Sequence, residues 1–244
     1  MERMDMANRI IIYGGTGGVG AALARRLTRA GAAVHLVARR EDRLQVLAAE
    51  LQCTYTCGDV RDDALFERVA QDAGSPVAGI AFAVGSIRIR PLHRITAADM
   101  IDDFSLNAVA AARALQSALP ALKAHGSASV VLFSSIAARR GFASHASIAM
   151  AKAAVEGLTV ALAAELAPAV RVNAIAPSLL DTELGATVAG SDTARTAIAN
   201  MHPLPRLGTA DDVASLAAHL LSAEGSWMTG QIIGVDGGRS AVVR

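Results

Sequence analysis

Seven short apolar runs punctuate the chain: residues 9–14 (RIIIYG), 33–38 (AVHLVA), 54–57 (TYTC), 79–84 (GIAFAV), 128–134 (ASVVLFS), 170–176 (VRVNAIA) and 231–236 (QIIGVD). Each has the length of a strand, and most lack the polar alternation of a sheet with one wet face. Such strands belong to a parallel sheet covered by helices on both sides. Between the runs lie Ala- and Leu-rich stretches with helical spacing, such as VGAALARRLTRAG, whose closing Gly31 is suited to end a helix. The alternation of strand and helix predicts a doubly wound α/β fold of about seven parallel strands, with ligands bound beyond the carboxyl ends of the strands.

One compact domain spanning residues 1–244 accounts for the composition, since 52% of the 244 residues are hydrophobic and 18% charged. No internal repeat or linker divides it. The longest irregular segment, 178–208, follows Pro177 and contains Pro203 and Pro205, and is expected to form a mobile lid over a site. The helix at 153–167 (AAVEGLTVALAAELA) has too few polar residues to face solvent all round, so part of it is expected to pack against another subunit.

A net charge of +1, with both signs scattered, provides no basic field for nucleic acid or an anionic membrane. Five Phe, two Tyr and one Trp are too few for a base-stacking surface. Cys53 and Cys57 have no His or third Cys at metal-ligand spacing, and are read as reduced thiols, with no metal site. The apolar run after Arg9 is too short for a signal peptide or a membrane span, which points to the cytoplasm and to a small molecule or another protein as partner.

The first strand runs into GGTGGVG, where Gly14, Gly18 and Gly20, with Thr16 and Val19 among them, stand at the junction with the first helix. Glycines let this turn bring backbone N–H groups against a pyrophosphate at the helix N-terminus. After the second strand stand Ala38, Arg39 and Arg40, where an NAD-binding site would usually carry an acidic residue for the ribose hydroxyls. Guanidinium groups there can clamp a 2′-phosphate, so NADP(H) is favoured over NAD(H), although RRED also fits a solvated loop. Asp59, followed by Val60, is placed either to meet the adenine amino group or to cap a helix starting near Arg61.

Over nearly its whole length the chain resembles the short-chain dehydrogenase/reductase family, which implies a Rossmann-type fold. The spacing of Gly14, Gly18 and Gly20 is similar to the family's cofactor turn, and GDV at 58–60 to its adenine-side motif. Gly85, in FAVG, falls where the family has Asn-Asn-Ala-Gly. Asn107 resembles the helix Asn that supports a proton relay, and Ser135 the catalytic Ser. In NAIAPSLLDTEL, Pro177 and Thr182 match the segment over the nicotinamide, with Ser178 in place of a Gly. The resemblance implies hydride transfer with a nicotinamide cofactor, and a homodimer or homotetramer.

The departure lies at the chemistry. Family members of this kind carry Tyr-x-x-x-Lys, and here the pattern reads Ile148-x-x-x-Lys152. Lys152 can still hold ribose hydroxyls and Ser135 a carbonyl oxygen, but Ile148 transfers no proton. A general acid is worth about 10² to 10⁴ in rate. His145 is the candidate replacement: His145-x6-Lys152 is similar to the Tyr-x6-Lys of the enoyl-reductase branch, and on a continuous helix 145, 148 and 152 share a face. A surface histidine at the helix start is the plain alternative. Ser144 and Ser147 are weaker acids and natural caps, while Arg88, Arg90, His93, Arg139 and Arg140 could meet an anionic substrate or only solvent. Two functions follow: an oxidoreductase acting on a small carbonyl, alcohol or enoyl substrate with a non-standard proton donor, or a non-catalytic NADP-binding sensor or assembly partner.

Overall fold

The computed structural model describes residues 8–242. Among them seven strands form one parallel sheet: β1 (Ile10–Tyr13), β2 (Val34–Ala38), β3 (Thr54–Cys57), β4 (Gly79–Phe82), β5 (Ala128–Phe133), β6 (Val170–Pro177) and β7 (Ile232–Val235), in the order β3-β2-β1-β4-β5-β6-β7. The chain winds outward from β1 to β3, then returns to place β4 on the other side of β1. That reversal opens a crevice at the carboxyl ends of β1 and β4, where ligands of such sheets bind.

The helices are α1 (Gly18–Arg29), α2 (Glu41–Leu51), α3 (Ala64–Ala73), α4 (Ala97–Phe104), α5 (Ala110–His125), α6 (Ala146–Leu166), α7 (Glu183–Ala189), α8 (Asp192–Asn200) and α9 (Ala210–Leu221). Strand alternation divides the core between the two faces. Ile11 and Tyr13 join Phe66, Leu115 and Val130 on one side; Ile10 and Ile12 join Leu23, Leu36, Leu44 and Leu220 on the other. Each such side chain contributes about 1.5–3 kcal/mol by leaving water. Neither layer alone could cover the sheet.

α6 is long and apolar enough to cross a membrane by length and composition. Its Ser147, Ile148, Ala151, Lys152, Val155, Glu156 and Thr159 are buried inside the fold, and it packs on α4, β5 and β6, the setting of a core helix. Met150 and Val160 remain exposed on its outer side. The segment 178–208 is less irregular than its prolines suggest, because it holds α7 and α8. Thr182 and Ser191 cap these two helices by accepting from the N–H groups of Gly185 and Ala194.

Candidate functional site

Gly14 adopts a left-handed φ of +76°, and a Cβ built on it would lie 2.6 Å from the Ala83 carbonyl oxygen just past β4. Any side chain on Gly20 would run into the carbonyl of Gly14. The turn therefore closes tightly only with these glycines. α1 begins here with Gly17 as its cap, no side-chain cap bond and no acidic residue in its first turn, so its leading N–H groups present an uncompensated positive end. Half-buried Thr16 and Val19 flank the turn. Thr182 reaches it from the segment after β6: its Cγ2 lies 2.7 Å from where a Cβ on Gly18 would stand.

At the end of β2, Arg39 is 69% exposed and held only loosely, 3.6 Å from Asp59. Arg40 caps α2 with its backbone and pairs with Asp42 at 3.1 Å. Asp59 accepts from the N–H of Arg61 at 3.0 Å, a local turn; α3 starts only at Ala64, so Asp59 is not its cap. Val60 is buried in the core beside it.

Ser135 directly follows Ser134 at the end of β5, half-buried, with Oγ accepting from Ala137 N–H at 3.1 Å. Lys152, on α6, is buried and donates from Nζ to the Phe133 carbonyl at 2.8 Å. Burial pushes its pKa down to about 8. Asn107 sits in a π-helical turn, Ser105–Val109, between α4 and α5; its Nδ2 donates to the Asp103 carbonyl at 2.8 Å, and its buried Oδ1 has no partner. A Cβ on Gly85 would lie 3.0 Å from that Oδ1 and 3.3 Å from Lys152 Nζ. Gly85, Asn107 and Lys152 thus converge, with Ser135 two residues beyond the carbonyl that Lys152 holds.

Ile148 is 3% exposed, one turn before Lys152. His145 is not on the helix: it is the residue that caps α6, at φ −105° and ψ 11°, so the shared helical face with Lys152 does not exist. Its Nδ1 meets the Ala143 carbonyl at 2.7 Å and its ring packs on Phe142. The preceding Ser144 has a left-handed φ of +64°, and its carbonyl accepts from Arg90 N–H.

Most of the loop cations are committed elsewhere. Arg88 pairs with Asp99 and Asp102, Arg90 lies near Asp99, and the guanidiniums of Arg61 and Arg88 help hold the Asp102 carboxyl below its ordinary value. Arg139 pairs with buried Glu156, which also accepts from Ser134. Pro177 ends β6, and Ser178 beyond it bonds His202 Nε2 at 2.8 Å. Sequence reasoning missed Ser86, Asp103 and Glu156. A polar residue on the buried side of α4 or α6 was the signal for Asp103 and Glu156, and Ser86, in the loop after Gly85, carried none.

The family pattern described as Enoyl-(Acyl carrier protein) reductase matches residues 14–240. The chain is 35% identical to an uncharacterized oxidoreductase of Mycobacterium tuberculosis, over 93% of this chain and 90% of the relative. It is 32% identical to a tropinone reductase homolog of Arabidopsis thaliana, over 95% and 91%. A short-chain type dehydrogenase/reductase from Mycobacterium ulcerans superposes with a TM-score of 0.89 at 31% identity, covering 96% of this chain and 90% of that one. With the doubly wound sheet, the glycine turn and these matches along the chain's length, it belongs to the short-chain dehydrogenase/reductase family of oxidoreductases.

Proposed function

We propose that the chain is an NADP(H)-dependent oxidoreductase that moves hydride between the nicotinamide and a small carbonyl, alcohol or enoyl substrate, and that its proton donor is not a tyrosine. The observation that carries this is the convergence of the Lys152 ammonium and the unpartnered Asn107 Oδ1 over Gly85, in the crevice that the uncapped end of α1 also faces. An orphaned buried oxygen, a buried cation and a free helix end fit the sugar and diphosphate of a dinucleotide. Gly14, Thr16, Gly18, Val19 and Gly20 would hold the diphosphate, Asp59 and Val60 the adenine, and Arg39 and Arg40 a 2′-phosphate. Gly85, Pro177, Thr182 and Lys152 would hold the nicotinamide end. When bound, the reduced cofactor supplies the hydride.

Ser135 is the group suited to polarise a substrate oxygen, and Asn107 with Lys152 to orient what lies beside it. His145 is the sequence's own choice of acid. In its neutral form the Nδ1–H is spent on Ala143, so only the imidazolium has a proton to give. The segment 178–208 serves as the lid. α6, with Met150 and Val160 outward, forms a homo-oligomer face, and the unbridged Cys53 and Cys57 suit a cytoplasmic protein.

Calorimetry with NADPH and NADH, followed by absorbance assays of NADPH oxidation with ketones and enoyl thioesters, tests the reading. Tight NADPH binding with turnover is expected; no binding of either cofactor removes it. Ile148, buried where a proton donor would be needed, favours one other reading, a non-catalytic NADP-binding sensor or assembly partner. Its mark is tight NADPH binding without turnover, with activity gained on Ile148→Tyr.

A further inference from the structure

Asp103, on the last turn of α4, is wholly buried, and among the described residues no cation forms an ion pair with it. Taking a carboxyl group out of water costs several kcal/mol unless its oxygens find partners, roughly as much as a buried ion must recover from its surroundings. Both oxygens are met by hydroxyls. Ser147 Oγ donates to Oδ2 at 2.5 Å, and Ser86 Oγ donates to Oδ1 at 3.2 Å. The first bond has the length typical of an O–H donor on a charged acceptor. Asn107 closes the group, donating to the Asp103 carbonyl at 2.8 Å and standing 3.5 Å from Ser86 Oγ.

The position of this cluster matters as much as its chemistry. Ser147 directly precedes Ile148, and Ser86 directly follows Gly85, the residue over which Asn107 Oδ1 and Lys152 Nζ converge. Ser147, Asp103 and Asn107 are 0%, 0% and 2% exposed, whereas Ser86 is only half-buried. The polar chain therefore runs from a dry interior to a single half-buried hydroxyl beside Gly85. Packing α4 on α6 needs no carboxyl there, since apolar residues of similar volume usually serve as well or better.

We propose that Ser86 and Asp103 form the proton relay of this chain, with Ser86 meeting the substrate oxygen, Asp103 acting through it, and Ser147 fixing the carboxyl in place. The relay presupposes the oxidoreductase activity proposed above. In oxidation of an alcohol, the carbon gives up hydride while its O–H proton passes to Ser86 Oγ and the Ser86 hydroxyl proton passes along its existing bond to the Asp103 carboxylate, leaving a carbonyl and a carboxyl group. That proton returns to solvent through Ser86 once product has left. Carbonyl reduction runs the same transfers backwards, with Asp103 first taking a proton from solvent through Ser86.

The test compares kcat, KM and calorimetric NADPH affinity of wild type with those of Asp103→Asn and Ser86→Ala, using the carbonyl substrates that wild type turns over. We expect kcat to fall about 10² to 10⁴-fold in each variant, with KM and NADPH affinity within about threefold of wild type. Adding Ile148→Tyr to Asp103→Asn then restores at least about tenfold, because a phenol supplies the proton directly. Ser86→Ala, which removes one hydroxyl from a loop, carries the test if the helix variants fail to fold. Unchanged kcat in an active background overturns the relay alone, as does a loss that comes with weakened NADPH binding or that the tyrosine leaves unrepaired. Absence of wild-type turnover overturns the relay together with the oxidoreductase reading.

Discussion

Lys152 Nζ and Asn107 Oδ1 flank one point in space, lying 3.3 and 3.0 Å from where a methyl group on Gly85 would sit. Ammonium and carboxamide can both shift by tenths of an ångström, so Gly85→Ala will fold, with a stability loss of about 1 kcal/mol. The methyl group fills the ground proposed for the ribose. NADPH affinity will therefore fall at least about tenfold, which is 1.4 kcal/mol, while the melting temperature of the apoprotein moves only a few degrees. Unchanged affinity would remove this region from the cofactor site.

Lys152 also makes stability depend on pH. Its pKa is about 8 when folded because burial opposes the charge, against 10.5 for the ordinary side chain. Below pH 8 folded and unfolded chains both carry the proton, and the cost of the buried ammonium is fully present. Between about 8 and 10.5 the folded chain has released it and the unfolded chain has not, so rising pH favours folding. Urea denaturation of wild type and Lys152→Met across that window will show the difference moving toward wild type by about 3 kcal/mol. A difference flat in pH would mean that the ammonium is well solvated.

The contact between Thr182 and the glycine turn can be read with a double-mutant cycle. Gly18→Ala places a Cβ 2.7 Å from Thr182 Cγ2, and Thr182→Ser removes that methyl while keeping the hydroxyl that caps α7. Gly18→Ala alone will cost about 1–3 kcal/mol, and the double variant will recover at least half of it. Purely additive costs would indicate that the segment carrying Thr182 does not rest on the glycine turn.

If Arg39 and Arg40 grip a 2′-phosphate, replacing both with Ala will weaken NADPH about 10- to 100-fold and leave NADH within about threefold. Equal losses for the two cofactors would make these arginines general contributors to the loop, with no part in the choice between them.

His145→Ala separates the two sources of the proton. With Ser86 and Asp103 supplying it, kcat at neutral pH will fall less than about tenfold, since only a cap residue and its contact with Phe142 are lost. A fall of about a thousandfold would return the acid to the histidine.

The sheet was legible because its central strands are buried on both sides, and fully buried runs such as IIIY and ASVVL advertise themselves whatever surrounds them. The glycine turn was legible for a similar reason: few residues other than glycine can bring Gly14 against Ala83. Local spacing could not reveal that helix α6 begins after His145. A contact from a distant loop, Arg90 N–H to Ser144 carbonyl, accompanies the bend there. Asp103 and Ser147 stand 44 positions apart on separate helices, so no periodicity within either could join them. In the segment 178–208 the prolines outweighed the serine and threonine caps that mark α7 and α8. Chemistry confined to one turn was readable; chemistry assembled across elements was not.

The widened turn at Ser105–Val109 lets one continuous rod serve two masters. Its extra residue offsets the angular phase between the stretch that aims Asn107 inward and the stretch that seats Ala111, Ala114, Leu115 and Leu122 on the sheet. Removing any single residue there would rotate one half by about 100° against the other. This region will consequently absorb exchanges of side chain far better than any change in length.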